Sequence, residues 1–243
     1  ARQLGRKTGQ GFYDYRSGQK QGDVLPQQLP RLSHYPSVWI GADFDQDRQA
    51  LEQYLTAHNI KLDHERTPQA QSLVLLACYG EDATSAARRY GIDPRQVVCI
   101  DLLYGLNKHR TLMPSLITAP HLLEAAHSIF NLDGQSLSII NESVGFVAQR
   151  VMAMIVNLGC DIAQQNIASV DDINAAVRLG LGYPHGPIEW GDVLGADKIL
   201  TILQRMSEIT HDPRYRPSPW LRRRVELGLK LVHQTHQQQE QAA

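Results

Sequence analysis

Metal-spaced cysteine pairs are missing from this sequence. Its three cysteines, Cys78, Cys99 and Cys160, are scattered in apolar surroundings. That spacing excludes a zinc ribbon or a disulfide framework and reads as buried, reduced thiols of a cytoplasmic protein. Charge of one sign is also missing. The chain has 24 basic and 25 acidic residues and a formal net charge of -1, so no excess favours nucleic acid or an anionic membrane as a partner. Long apolar runs are absent: stretches such as "SLVLLACYG" fall far short of a bilayer span. The first residues have no charged segment leading into an apolar one, which predicts no secretory signal. What is present is ordinary for a globular protein. The 243 residues are 42% hydrophobic and 20% charged, enough for one large or two modest cores.

The chain opens with "ARQLGRKTGQGFYDY", glycines followed by an aromatic run, as a helix ends and an extended segment begins. Residues 17–36, with Pro26, Pro30 and Pro36, form a polar linker that buries little. An α/β pattern follows over 37–141. "VWIGA" (38–42) reads as a strand, and Ala50, Leu51, Tyr54 and Leu55 have helical spacing with Asn59 as the stop. "IKLDHE" is a second strand candidate. "LVLLAC" (73–78) and "VVCI" (97–100) read as buried parallel strands around a helix at 83–90 that ends at Gly91. Pro120 opens a helix at 121–130, and "SLSII" (136–140) is the last strand. Alternation of this kind predicts a mainly parallel sheet covered by helices.

The period then changes. Val147, Val151, Met154, Ile155, Leu158 and Ile162 predict one long helix buried on that face. Ser169 caps the next, with Asp171 and Asp172 in its first turn, and it ends near Gly180. "GYPHGP" forbids regular structure. Another helix runs through Ile199, Ile202, Leu203 and Met206, "HDPRYRPSP" is a loop, and Leu221, Val225, Leu229 and Val232 mark a last helix. No strand signal follows residue 140, so 142–236 is expected to be an all-helical domain, with 237–243 a polar tail.

The stretch "SVDDINAAVRLGLGYPHGPIEWGDVLGADKIL" (169–200) resembles the C-terminal helical domain of the 3-hydroxyacyl-CoA dehydrogenase family through Ala175, Gly180, Gly182, Tyr183, Pro184, Gly186, Pro187, Asp192, Gly195 and Asp197. "VGFVAQRV" (144–151) and "RYRPSPWLRRRVELG" (214–228) look like that domain's first and last helices. In the family the last helix runs into a tail of the form G-R-K-T-G-x-G-F-Y-x-Y, which is the motif at 5–15 here. The resemblance therefore implies a chain that carries the tail of one family copy (1–16) and a second, fuller copy: the C-terminal half of a duplicated enzyme, cut just before the first copy's final segment. The wording of the motifs is most like the bacterial phenylacetate-degradation branch, the 3-hydroxyadipyl-CoA type. The implied fold is a degenerate α/β Rossmann-like remnant followed by the all-α domain.

The resemblance also implies hydride transfer between the C3 hydroxyl of an acyl-CoA and NAD, a dinucleotide site, a His base held by a Glu, and polar groups on the thioester. Tested residue by residue, these are hard to find. The first turn is "IGADFDQD", with Gly41 as its one glycine. Asp43, Asp45 and Asp47 stand where a pyrophosphate would sit; they would repel it, and they suit a helix N-terminus. The G-x-G-x-x-G fingerprint is absent. Asp63 lies about where a ribose-binding acid would, but without the glycines. Asp101 takes the place of the family His, with Leu102, Leu103, Tyr104 and Gly105 following. His109 lies in a polar loop, and no carboxylate is found near Met113, where the orienting Glu is expected. Gln149 replaces the Asn of G-F-x-x-N-R and reads as a partly exposed polar position. His185 reads as a loop residue. Arg214, Arg216, Arg222, Arg223 and Arg224 read as a solvated face rather than a CoA phosphate site. Trp190 and Trp220 read as core or interface anchors.

No catalytic, cofactor or metal residue is thus expected in this chain. NAD and acyl-CoA are expected on an N-terminal catalytic half, with this half serving dimerisation and completion of the cleft. An independent CoA-binding or dehydrogenase domain with a rearranged site is the alternative. Residues 4–15, through Phe12, Tyr13 and Tyr15, are expected to dock on a helical domain that otherwise has no tail to cover Leu221, Val225 and Leu229.

Overall fold

The computed structural model describes residues 6–10, 15–16 and 32–233. The expected docking residues Phe12 and Tyr13, most of the linker and the polar tail lie outside the described residues.

Five strands, β1 (Val38–Ala42), β2 (Leu73–Ala77), β3 (Val97–Ile100), β4 (Arg110–Pro114) and β5 (Leu137–Ile139), form one sheet in that order. β1–β2, β2–β3 and β4–β5 pair parallel, and β3–β4 antiparallel. β2 and β3 are buried along their whole length because helices cover both faces. On one face α1 (Asp45–Ala57) and α3 (Pro120–Ile129) bring Leu51, Leu55, Leu122, Ala126 and Ile129 against Ile40, Leu75 and Val98. On the other, α2 (Ala83–Tyr90) and Phe146 pack on Val74, Leu76, Val97 and Cys99. Asp82 caps α2 by accepting from the Ser85 N–H, and Gly91, the expected stop, ends it in the left-handed region.

Two strand expectations need correction. "IKLDHE" contributes one bridge, Leu62 to Val38, and no strand. The Asp63 carboxylate winds the chain away by accepting from the Glu65 N–H (3.1 Å), the Gln69 N–H (2.9 Å) and the Ser72 hydroxyl (2.6 Å). Conversely "RTLMP" is β4, a strand antiparallel to β3 and parallel to β5, with no periodic signal. It is anchored by Arg110, whose buried guanidinium pairs with Asp133 at 2.6 Å and lies over the Tyr54 ring.

The helical part comprises α4 (Val147–Gln164), α5 (Val170–Leu181), α6 (Pro187–Leu194), α7 (Ala196–Thr210) and α8 (Pro219–Glu226). α6 was not anticipated; Gly186 and Pro187 start it, and the Glu189 carboxylate accepts from the Gly186 N–H at 2.7 Å. α4 is central, and its burial meets the expectation only in part: Met154, Ile155 and Ile162 are half-buried against the core. Met152, Ala153, Val156, Asn157, Gly159, Cys160 and Ala163 face the core. Val147, Val151 and Leu158 are 54%, 51% and 62% exposed.

The last helix also stops early. Gly228 takes φ +65°, and the chain turns back so that Leu231 is fully buried between Val156 of α4 and Gly191 of α6. Asp192 accepts from the N–H groups of Leu231 (2.7 Å) and Val232 (3.2 Å), and the Trp220 indole donates to the Leu231 carbonyl at 3.0 Å. The helical domain therefore has a cover of its own, built from residues 228–233.

Candidate functional site

In an open parallel sheet, ligands bind beyond the carboxyl ends of the strands. In this chain that end meets the helical domain, and a cleft of about 600 Å³ opens there between the α1 N-terminus (Phe44–Asp47), the segment after β3 (Leu102, Leu103, Gly105) and the α6–α7 junction (Asp192–Lys198).

The turn from β1 into α1 is already engaged. Asp43 pairs with Arg205 of α7 at 2.5 Å and with Arg89 of α2 at 2.9 Å. Asp47 pairs with Lys198 of α7 at 2.7 Å and accepts from the Tyr79 hydroxyl at 2.7 Å. Glu81, just after β2, pairs with Arg89 and, at 3.2 Å, with Arg205. Arg205 also donates to the Tyr79 carbonyl at 3.1 Å, and the Lys198 ammonium lies 5.4 Å from the Phe44 ring centre and 5.2 Å from that of Tyr79. Burial and the neighbouring Asp47 push the Tyr79 phenol far up, so it stays a donor.

These residues do not fit a pyrophosphate. The α1 N-terminus presents Phe44 and carboxylates where backbone N–H groups would need to meet phosphate. Nor do the aspartates cap α1 as expected, for α1 has no side-chain cap and Asp43 and Asp47 reach cations instead. Gly41 is explained by packing: a Cβ there would come within 2.6 Å of Leu76. Asp63 has its carboxylate occupied by its own loop.

The position of the expected base is more informative. Asp101 follows β3, and its Oδ1 accepts from the Leu103 N–H at 3.0 Å and the Gln149 amide at 3.1 Å. Burial pushes the Asp101 carboxyl above the usual carboxylate range against those two donors. Gln149 corrects the reading of a partly exposed side chain. It is fully buried, accepts from the Gly80 N–H at 3.0 Å and donates to the Cys78 carbonyl at 3.0 Å. The two positions that the resemblance matches to the family's His and Asn are thus in contact, and they tie the residue after β3 to the first turns of α4.

The remaining candidates lie elsewhere. The His109 ring sits between the hydroxyls of Ser136 and Ser138, at 2.8 and 2.9 Å. Met113 is buried within β4. His185 and Tyr104 both meet the half-buried Trp190 edge-on. Trp220 is core, and Arg224 lies on its ring at 3.2 Å while donating to the His233 carbonyl, so Arg224 leaves the solvated group that Arg222 and Arg223 keep. Sequence reasoning missed Tyr79, Glu81, Arg89, Lys198 and Arg205. The available signal was the seven-residue spacing of Lys198 and Arg205, which puts two cations on one side of an apolar helix.

Comparison with known proteins bears on this geometry. Residues 145–237 match the family model for the 3-hydroxyacyl-CoA dehydrogenase C-terminal domain. Over 222 residues the chain is 28% identical to the 3-hydroxyadipyl-CoA dehydrogenase of Escherichia coli K12, covering 91% of this chain and 41% of that protein. Over 89 residues it is 33% identical to a probable 3-hydroxybutyryl-CoA dehydrogenase of Deinococcus radiodurans, covering 37% of this chain and 32% of that one. Among solved structures, the 3-hydroxybutyryl-CoA dehydrogenase of E. coli K12 superposes with a TM-score of 0.68 at 28% identity, over 93% of this chain and 42% of the other. Mycobacterium tuberculosis FadB2 superposes with a TM-score of 0.61 at 20% identity, over 79% of this chain and 66% of the other, a likeness of fold. The chain thus spans about two fifths of the curated relative it matches over most of its length.

Proposed function

We propose that this chain, whose helical half is a 3-hydroxyacyl-CoA dehydrogenase C-terminal domain on a hydroxyacyl-CoA dehydrogenase fold, is a supporting rather than a catalytic part of such an enzyme. The whole enzyme would oxidise a 3-hydroxyacyl-CoA to the 3-oxoacyl-CoA with NAD, in the 3-hydroxyadipyl-CoA branch. Cofactor and acyl-CoA chemistry would lie on an N-terminal catalytic copy. This copy would complete the cleft and hold the assembly together as a homodimer. Three buried free thiols fit the cytoplasm, and no helix among the described residues is long and apolar enough to cross a membrane.

The observation that carries the reading is the ion-paired turn at Asp43 and Asp47. Two carboxylates fixed by Lys198, Arg89 and Arg205 sit at the β1–α1 turn, where the resemblance would put a dinucleotide's phosphates, and Asp101 follows β3, where it would put the imidazole base. A second reading has one observation in its favour. Asp101 has a raised carboxyl pKa and a hydrogen-bonded partner in Gln149, as a rearranged general base would. NADH fluorescence titration of this chain separates the two. No saturable binding is expected, and no turnover of 3-hydroxyacyl-CoA. Tight NADH binding, or turnover abolished by Asp101→Asn, overturns the supporting role.

A further inference from the structure

Gln149 stands in the first turn of α4, just after Phe146, which is buried against the sheet. Its amide spans the exits of two strands. Oε1 accepts from the Gly80 N–H beyond β2, and Nε2 donates to the Cys78 carbonyl and to Oδ1 of Asp101, the residue after β3. Turning the amide over would face its NH2 with an N–H and its oxygen with two acceptors, so one orientation alone satisfies every contact. The grip joins the helical domain to the sheet beside Leu102 and Leu103, which line the cleft.

The Asp101 carboxyl is held on one side only. Oδ1 accepts from Leu103 and Gln149, while Oδ2 accepts no hydrogen bond among the described residues. No fully buried side-chain oxygen of those residues lacks a partner, so Oδ2 reaches water. A proton arriving on Asp101 settles there and leaves both donors in place on Oδ1. Burial favours this neutral form, and the Leu103 and Gln149 donors oppose it. Among the groups facing the carboxyl, Asp47 of α1 favours the proton and Lys198 of α7 disfavours it. The Tyr79 and Tyr104 phenols, both pushed up by burial, stay neutral, and α4 presents the uncharged Gln149. The carboxylate left when the proton departs is poorly solvated in place. Lifting the first turn of α4 off the strand ends gives it water on every side.

We propose that Gln149 and Asp101 form a proton-controlled latch between the sheet and the helical domain, shut while Asp101 Oδ2 carries a proton and released when that proton passes to water. Release frees the first turn of α4 and the Leu102–Leu103 wall of the cleft, while the pairs of Asp43 and Asp47 with Arg205 and Lys198 keep the two parts docked. The shut state binds the proton more tightly than the open one. Opening is therefore rarest below the ordinary aspartate value of 3.8, rises by up to about tenfold per pH unit above it, and levels off past the raised value of the shut state. The latch does not depend on whether this chain binds a dinucleotide, so it and the supporting role can fail separately.

Hydrogen exchange of the full chain from about pH 4 to about pH 8, corrected for the intrinsic pH dependence of exchange, reads the latch directly. The Gly80 and Leu103 amides are donors in it. Both are expected to exchange through an opening distinct from that of the β2 and β3 amides, and more often as pH rises. Asp101→Asn keeps the acceptor and cannot ionise, so it should hold both amides at their low-pH protection throughout. Gln149→Leu removes the grip and should raise Gly80 exchange about tenfold or more at low pH, without the rise with pH. Where Gln149→Leu does not fold, Asp101→Asn decides alone. Gly80 exchange that follows global unfolding at every pH, a pH trend of opposite sign, a trend that survives in Asp101→Asn, or wild-type Gly80 protection in Gln149→Leu overturns the proposal.

Discussion

The sharpest consequence of the engaged β1–α1 turn concerns Lys198. Its ammonium lies 2.7 Å from Asp47, and the two side chains are 13% and 8% exposed. A pair so far from water gains strong Coulomb attraction and loses much of it to desolvation, so its net worth is small while the cost of breaking it is large. Lys198→Met keeps the length and apolar stem and removes the charge. The Asp47 carboxylate is then left with the Tyr79 hydroxyl and the α1 N-terminus. Breaking a buried pair costs about 3–5 kcal/mol, and the helix end returns about 0.3–1 kcal/mol, so a loss of about 2–4 kcal/mol is expected. Asp47→Asn retains an acceptor for Tyr79 and strands a lysine that can bend towards water, so it should cost less. The pair of substitutions should be close to wild type, which gives a coupling of at least about 2 kcal/mol in a urea-unfolding double-mutant cycle. A coupling below about 0.5 kcal/mol would mean that the contact between sheet and helical domain does not rest on this ion pair.

Gly80 takes φ +71°, and a Cβ there would lie 2.4 Å from the Ile202 carbonyl oxygen, so Gly80→Ala should cost at least about 2–4 kcal/mol and loosen α7 in hydrogen exchange; wild-type protection of α7 would contradict this. Leu231→Ala empties a fully buried position between α4, α6 and Trp220 and should cost about 2–5 kcal/mol by chemical denaturation, whereas an effect near zero would show that residues 228–233 do not cover the domain. Asp101 gives a pH effect of defined sign. Its folded carboxyl titrates above its ordinary value of 3.8, the native state holds the proton more tightly, and stability falls as pH rises from that value through the raised one. Asp101→Asn still accepts from Leu103 and Gln149 and should flatten that fall, so the variant gains on wild type as pH increases; an unchanged slope would refute the burial argument.

Much of the fold was legible because the relevant signals are local. Apolar runs at 73–77 and 97–100 have one stable use, a strand covered on both faces, and Ser169, Gly91 and Pro120 mark helix ends by their own chemistry. What failed depended on distant residues. "RTLMP" becomes a strand because Arg110 is received by Asp133, Phe130 and Tyr54, none of them its neighbours. "IKLDHE" has strand propensity, but Asp63 prefers the N–H groups downstream. The α4 stripe shows the limit of periodicity, which finds an apolar face without saying which surface it meets. Its smaller residues, with Gln149 and Asn157, face the domain's own core.

At the site, the sequence yielded the missing glycines and the surplus aspartates. It could not show what those aspartates do, since their partners are 162 and 151 residues away in the chain. The charge balance explains the arrangement. Asp43, Asp47 and Glu81 converge at the carboxyl end of the sheet, and three carboxylates held together repel one another unless cations join them. Arg89, Arg205 and Lys198 supply three. A dinucleotide's pyrophosphate brings negative charge to such a turn, and backbone N–H groups receive it. In this chain side chains bring the negative charge, so the cations that answer it come from α2 and α7, and two of the three belong to the helical domain. The same carboxylates that would repel a phosphate therefore fasten the sheet to the helices. On this reasoning, the proposed lack of NAD affinity and the docking of the two parts have one cause. Replacing Asp43 and Asp47 by Asn should loosen the docking before it creates any affinity for pyrophosphate, since the glycines that allow close approach are still absent. Pyrophosphate binding by that variant with docking intact would separate the two effects and defeat the argument.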